Sequence, residues 1–338
     1  MKTIFLTETT QVEGCYAATI GFFDGVHLGH QYVISQLKTL AAERNLPTML
    51  VTFEQHPRRV LHTTWQPQLI TTLAEKQQLI AQTGIDLLVV MRFNKEMAQL
   101  SARSFMQQVL MNQLNVKMLL TGYDNHFGRR QTITRTDGTE QIEGFEDYVA
   151  YGQQIGMEVK AGLPLAMKTV LEKAHYEHAT LAQSKCSSSL IRRLLNEGSV
   201  NEATICLGRP YAITGLVIHG EQIGRTIGFP TANIEPDDAN RLIPKAGVYA
   251  VKVRTEKGEV LQGMMNIGNR PTFNGEKLTL EANIFDFIGN LYNQRLTIEF
   301  HYRLRDEHHF DSPTALAKQI EIDAAKAREL LNNNEQPS

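Results

Sequence analysis

The spacing of apolar positions changes near the middle of the chain. From Tyr16 to about Lys160, short apolar runs, "YAATI", "TMLVTF", "DLLVVMRF", "KMLLTG" and "MEVKA", alternate with helical patterns such as Leu28 to Arg44, "LAEKQQLIAQTG" and "ARSFMQQVLMNQL". In the last of these, Phe105, Met106, Val109, Leu110 and Leu114 make one apolar side. Strands alternating with helices predict a doubly wound parallel sheet. From Tyr211 the grammar becomes that of β-runs: "YAITGLVIHG", "GVYAVKVR", "EVLQGMMNIG", "LTLEANIFDF" and "RLTIEFHYRL", with "RTEKGEVL" as a hairpin turn. Antiparallel strands broken by Gly and Pro predict a small closed barrel. A last helix starts at Ser312-Pro313 and carries Leu316, Ile320, Ala324, Ala327 and Leu331 on one face, a stripe expected to be core packing. Between the halves, "SKCSSSLIRRLLNEGSVNEATICLGR" predicts helix, Gly break, helix. The expected class is therefore α/β, with domains over 1–184 and 185–338.

Composition narrows the class. The 338 residues suffice for two domains with separate cores, and 42% hydrophobic with 21% charged residues is the profile of a soluble globular protein. A net charge of −2 gives no basic bias, so no nucleic-acid partner is expected. Cys15, Cys186 and Cys206 are odd in number and make no CxxC pair, which argues against a disulfide framework or a zinc knuckle and fits a reducing cytoplasm. The apolar run in "MKTIFLTETT" is too short for a signal peptide, and no stretch is long enough to span a membrane, so no membrane partner is expected. The oligomeric state is open.

The chemistry concentrates first in "GFFDGVHLGH", residues 21–30, between a predicted strand and a predicted helix. Its glycines allow a sharp turn and a close approach to a ligand. A helix starting near Leu28 aims unpaired N–H groups and its positive dipole end at that point, and His27 and His30, three apart, share a face of the first turn. The combination suits an anion, above all phosphate. In a parallel sheet, ligands bind beyond the carboxyl ends of the strands, where both this stretch and "TGYDNHFGRR" (121–130) fall. GxGxxG and GK[ST] are both missing, which weakens a dinucleotide dehydrogenase and excludes an ordinary Walker loop.

His27-Leu28-Gly29-His30 resembles the HxGH signature of nucleotidyltransferases, and the leading "GFFDG" is similar to its form in prokaryotic bifunctional riboflavin kinase/FAD synthetases. Further motifs occur in that family's order: "TFEQHPRRVL" (52–61), "TGYDNHFGRR", "SSSLIRRLL" (187–195), "GLVIHGEQIGRTIGFPTANI" (215–234), "MNIGNRPTFNG" (265–275), "LTLEANIFDF" (278–287) and "LRDEHHF" (304–310). The resemblance runs from Tyr16 to the C-terminal helix. It implies an N-terminal domain of the HxGH type that joins FMN to AMP from ATP, giving FAD and pyrophosphate. It also implies a C-terminal barrel domain, with its helix, that phosphorylates riboflavin to FMN with ATP and Mg²⁺. ATP, riboflavin, FMN, FAD and pyrophosphate are then the expected small-molecule partners.

The resemblance also implies residue roles. In the first domain, Gly21, Phe23, Asp24, Gly25 and Gly29 would cradle the nucleotide, with Asp24 and Gly25 shaping the turn. His27 and His30 would stabilise charge during attack on the α-phosphorus. Asp124 would hold ribose or metal, or act as an N-cap or Asx turn. Ser187, Ser188 and Ser189 would bind phosphate or cap the helix that carries Arg192, and Arg192 would grip phosphate. In the second domain, Gly220, Arg225, Gly228 and Pro230 would form the phosphate flap. Thr231 and Asn233 would offer oxygens to Mg²⁺. Glu281 would be the general base on the ribityl 5′-hydroxyl, and Arg305 would approach the flavin. By alternation, Thr279, Glu281 and Asn283 share one face of their strand, and Leu278, Leu280, Ala282 and Ile284 share the other. Two departures stand out: Ser189 replaces the family's usual Thr, and Asn125 replaces an aromatic residue of "GxDFxFG". Asn125 leaves room for a kinase whose adenylylating half has lost its flavin site, and a flavin carrier without turnover is a further reading.

Overall fold

The structure, a computed structural model, describes residues 1–56, 67–122, 132–134, 140–220, 228–272 and 275–333. The chain divides into two compact units: Met1–Pro67 with Thr71–Thr169, and Gln68–Ile70 with Val170–Ser338. Residues 170–184, expected with the first domain, lie in the second unit.

The first unit begins with β1 (Lys2–Leu6) and β2 (Tyr16–Ile20), then α1 (Leu28–Glu43), β3 (Thr48–Phe53), α2 (Leu73–Ala81) and β4 (Leu87–Met91). A short α3 (Lys95–Gln99) and α4 (Ala102–Phe105) come next, α4 passing into a π-helical stretch over Met106–Gln113. Then come β5 (Val116–Thr121), a two-stranded ribbon of β6 (Thr132–Thr134) and β7 (Glu140–Ile142), α5 (Phe145–Ile155) and β8 (Glu158–Ala161). Six strands form one sheet in the order β1-β4-β3-β2-β5-β8, every pair parallel. Strand β4 is buried throughout, and β2 and β3 are buried except for one end residue each, as a sheet covered on both faces requires. One covering layer includes Ile34, Leu37 and Ile80 from α1 and α2, and the other includes Phe105, Met106, Val109, Leu110 and Leu114, the side read from the sequence. Strand β1 falls outside the runs read as strands. It is short and largely exposed and pairs only along the edge with β4.

The strand order reverses between β2 and β5, because the chain lays β3 and β4 on one side of β2 and places β5 on the other. That reversal makes a crevice at the carboxyl ends of β2 and β5, the standard ligand position in this architecture.

Helix α6 (Met167–Lys173) spans the division at Thr169/Val170; in the second unit α7 (Ala179–Ala182) precedes α8 (Ser188–Glu197) and α9 (Val200–Leu207), which are separated at Gly198 with φ +84°. The barrel comes after them: β9 (Tyr211–Ile218), β10 (Ala232–Pro236), β11 (Gly247–Thr255), β12 (Val260–Thr272), β13 (Gly275–Ile284) and β14 (Arg295–Arg305), closed in the order β10-β13-β12-β11-β14-β9. All its described pairings are antiparallel. Tyr211, Tyr249 and Phe300 pack ring against ring inside it, with centroids 6.1 and 5.4 Å from Phe300. Helix α10 (Pro313–Asn333) lies on the outer face, where Ala327 and Leu331 meet Val248, Ala250 and Met264.

Phe300 is fully buried. Phe300→Ala should therefore destabilise the second unit by about 3–5 kcal/mol, read as a lower denaturant midpoint at unchanged m-value.

Candidate functional site

The turn after β2 is strained and buried. Phe23 (φ 53°), Gly25 (φ 83°) and Val26 (φ 41°) all have left-handed backbone, which for a β-branched valine is a genuine outlier. Each such non-glycine residue costs on the order of 1–3 kcal/mol and persists only where its surroundings hold it. Phe23 and Val26 are anchored in the core with Ile34 and Leu37. Asp24 is buried and accepts from the Thr71 amide at 3.0 Å and the Thr71 hydroxyl at 3.2 Å, while the Gly25 amide donates to that hydroxyl at 2.9 Å. Asp24 and Gly25 thus shape the turn through Thr71, which the motif reading passed over.

His27 is the N-cap of α1: its Nδ1 accepts from the His30 amide at 3.3 Å. An imidazole accepting at Nδ1 carries its proton on Nε2. The two rings stack with centroids 3.6 Å apart, and Phe23 lies 5.0 Å from His30. The structure therefore brings Gly21, Phe23, Asp24, Gly25, His27, Gly29 and His30 together at the start of one helix, at the crevice between β2 and β5. Asp124 and Asn125 lie outside the described residues.

Beneath the turn sits Lys76 of α2, only 3% exposed. Its ammonium donates to the Phe22 carbonyl (3.1 Å), the Thr52 hydroxyl (3.1 Å) and the Phe53 carbonyl (2.9 Å). Burial lowers its pKa to about 8, against the opposing pull of Asp24. The sequence held a signal for it: Lys76 sits between Leu73 and Ile80 on the apolar side of its helix.

In the second unit, Ser187 caps α8, its hydroxyl accepting from the Leu190 amide at 3.2 Å. Ser188 and Ser189 open the helix, and Arg192 donates from Nε to the Gln68 carbonyl at 2.9 Å. Around the barrel, Asn233 pairs with Glu281 across β10 and β13, so both side chains share one face of the sheet. A Cβ on Gly220 would crowd the Asn233 side-chain amide and displace it. Gly228 has φ +87°, and Arg225 lies outside the described residues.

Glu281 lines a cavity of ≈ 400 Å³ between the barrel and α10, together with Thr231, Asn266, Thr279, Asn283 and Arg305. Asn283 also donates to the Pro230 carbonyl at 2.8 Å, which steadies the segment entering β10. Arg305 is held by the buried Asp323 of α10 (Nε to Oδ2, 2.9 Å), whose other oxygen accepts from Gln319 at 3.0 Å. Leu316 and Ile320 line the same cavity, so the stripe expected to be core packing is divided: Ala327 and Leu331 fill core, and the N-terminal half of the helix walls a site. His308 and His309 line it too. A second cavity, of ≈ 600 Å³, is lined by Val217, Pro230, Ala232, Ala282, Tyr292 and, again, Thr231. Thr231 and Asn233 supply hydroxyl and carboxamide oxygens, hard donors that fit Mg²⁺ completed by phosphate. Among the described residues no three His, Cys, Asp or Glu side chains cluster to hold a metal by themselves, and no helix is long and apolar enough to cross a membrane.

A family model described as FAD synthetase matches residues 9–162, and one described as riboflavin kinase matches residues 207–331. The bifunctional riboflavin kinase/FMN adenylyltransferase of Bacillus subtilis is 37% identical over 98% of this chain and 99% of its own length. The protein of the same name from Escherichia coli is 35% identical over 94% of this chain and 93% of its own. A crystal structure described as a macrolide-efflux protein from Streptococcus pneumoniae superposes with a TM-score of 0.80, at 29% identity, over 97% of this chain and 99% of that one. Since the relatives match from end to end and the two models fall on the sheet unit and the barrel unit in turn, the chain belongs to the bifunctional riboflavin kinase/FMN adenylyltransferases.

Proposed function

We propose that the sheet unit transfers adenylyl from ATP to FMN at the turn after β2, and that the barrel unit phosphorylates riboflavin beside Glu281. The observation that carries the second assignment is the meeting of two cavities at Thr231, with Glu281 lining only one of them. A kinase must bring an acceptor hydroxyl to a donor phosphate while holding the bodies of both substrates apart. Riboflavin would occupy the cavity under α10, with Arg305, oriented by Asp323, facing the flavin ring. ATP would occupy the other, with Gly220, Arg225, Gly228 and Pro230 around its phosphates. The Glu281 carboxylate takes the proton of the ribityl 5′-hydroxyl as that oxygen attacks the γ-phosphorus, and ADP leaves. Thr231 and Asn233 would hold Mg²⁺, which when bound neutralises phosphate charge.

In the sheet unit, an FMN phosphate oxygen attacks the α-phosphorus of ATP and pyrophosphate leaves, so no covalent intermediate is required. The stacked His27 and His30, at the positive end of α1, stabilise the charge that develops, and the turn of Gly21 to Gly25 lies against the nucleotide. Asp124 is proposed for the ribose or the metal; Arg192 with Ser187–Ser189, at the start of α8 in the second unit, is proposed to bind phosphate. Cys15, Cys186 and Cys206 are all thiols, which supports a place in the reducing cytoplasm. Incubating the chain with riboflavin, ATP and Mg²⁺ should yield FMN and then FAD. FMN alone would indicate a kinase with a silent adenylylating half, and binding without turnover a carrier.

His30→Ala removes one donor aimed at developing charge, so FAD formation from FMN should fall by about 10²–10³ while riboflavin phosphorylation stays near wild type. Equal loss of both would make the histidine structural. Glu281→Gln keeps the volume but cannot accept the proton. FMN formation should drop by roughly 10²–10⁴ with riboflavin binding and FAD formation from supplied FMN unchanged. A normal phosphorylation rate in this variant would send the search for the base elsewhere.

A further inference from the structure

Lys76 is a buried charged group of the sheet unit that neither reaction, as proposed, uses. An ammonium has three N–H donors, and here each has an oxygen: the Phe22 carbonyl, the Thr52 hydroxyl and the Phe53 carbonyl. The Thr52 hydroxyl in turn donates to the same Phe22 carbonyl at 3.0 Å. The peptide leading into the left-handed Phe23, Gly25 and Val26 is thereby gripped from two sides and tied to the carboxyl end of β3. The ammonium also lies 4.2 Å from the centroid of the Phe22 ring. Burying a lysine costs far more than burying an apolar chain of its length, so a core role alone does not explain it.

We infer that Lys76 is a positioning residue for adenylyl transfer: protonated, it fixes the strained turn in the conformation that presents His27 and His30 to the ATP phosphates. The inference rests on the reading of that turn as the adenylylation site. A neutral amine has two N–H groups and a lone pair, and the lone pair would face one of the three oxygens, so the grip requires the proton. Among the described residues, Asp24 of the turn is the charged group that acts on Lys76, while Glu75, its neighbour on the same helix, accepts from the Thr72 amide at 2.9 Å. His56 lies beyond β3 with its ring 4.7 Å from that of Phe22.

The sign of the pH effect separates positioning from plain structure. The folded pKa of about 8 lies below the ordinary 10.5, so between these values the unfolded chain holds more protons and stability rises with pH. Over the same window the turn loses its grip and adenylylation falls. A merely structural lysine would move stability and activity together.

The test monitors FAD formation from FMN and ATP by the full chain from pH 6.5 to about 10, with riboflavin phosphorylation and thermal melts measured in the same samples. Wild type should lose FAD formation with a midpoint near pH 8 without a matching loss of stability, and riboflavin phosphorylation should show no limb at that midpoint. Lys76→Arg, a permanent cation, should remove the limb. Lys76→Met should slow FAD formation by roughly 10²-fold, the effect of a misplaced reacting group, and leave a flat profile. A wild-type profile without the limb, or a limb that survives in Lys76→Arg, overturns the inference even if Lys76→Met fails to fold. If His30→Ala leaves FAD formation intact, the site reading falls and this inference with it. If His30→Ala is impaired while Lys76→Met keeps the wild-type rate, only the role of Lys76 falls.

Discussion

The buried ammonium of Lys76 binds the peptide that leads into the strained turn after β2, and the shape of that turn depends on such anchors. The unit brings a helix N-terminus to the point where the strand order reverses, and the connection there is too short to arrive without left-handed backbone at two non-glycine residues. Such a turn would relax in isolation. It keeps its shape because Asp24 is bonded to Thr71, because Phe23 and Val26 are sealed in the core, and because Lys76 binds the carbonyl just before them. Opposite charges on Asp24 and Lys76 lower the cost of hiding each, so the two anchors support one another.

The barrel unit solves a different problem with ordinary strand geometry. Consecutive residues of a strand point to opposite faces, so Glu281 and Ala282 look into different cavities although they are neighbours in sequence. Pairing with Asn233 sets the register of that polar face, and Asn283 draws the Pro230 carbonyl toward it. Helix α10 completes the enclosure, contributing apolar walls through Leu316 and Ile320 and orienting Arg305 through Asp323.

Much of this was legible in the sequence, because period and motif order report on the same layers. The alternation from Tyr16 to Lys160, the β-runs after Tyr211 and the Gly break at Gly198 all correspond to elements of the structure. Strand β1 was not legible: of its five residues only Ile4 and Leu6 are half-buried against the core, which is too few to carry a periodic signal. Strand β10 was hidden because "PTAN" reads as a bend, and only the register with β9 and β13 makes a strand of Ala232 to Pro236. The least visible residues were Lys76 and Asp323. Each lies on the apolar side of its helix, Lys76 between Leu73 and Ile80 and Asp323 between Ile320 and Ala327, where the period masks a charge as a packing position. A charged residue at such a position is itself the signal, since burial is tolerated only when partners wait inside.

The alternation along β13 has a consequence for how the barrel can diverge. Substitutions at Thr279, Glu281 or Asn283 are felt in one chamber, and those at Ala282 or Ile284 in the other. Residues of one short strand can therefore reshape the two chambers separately. Thr231, as a wall common to both chambers, couples the two histories.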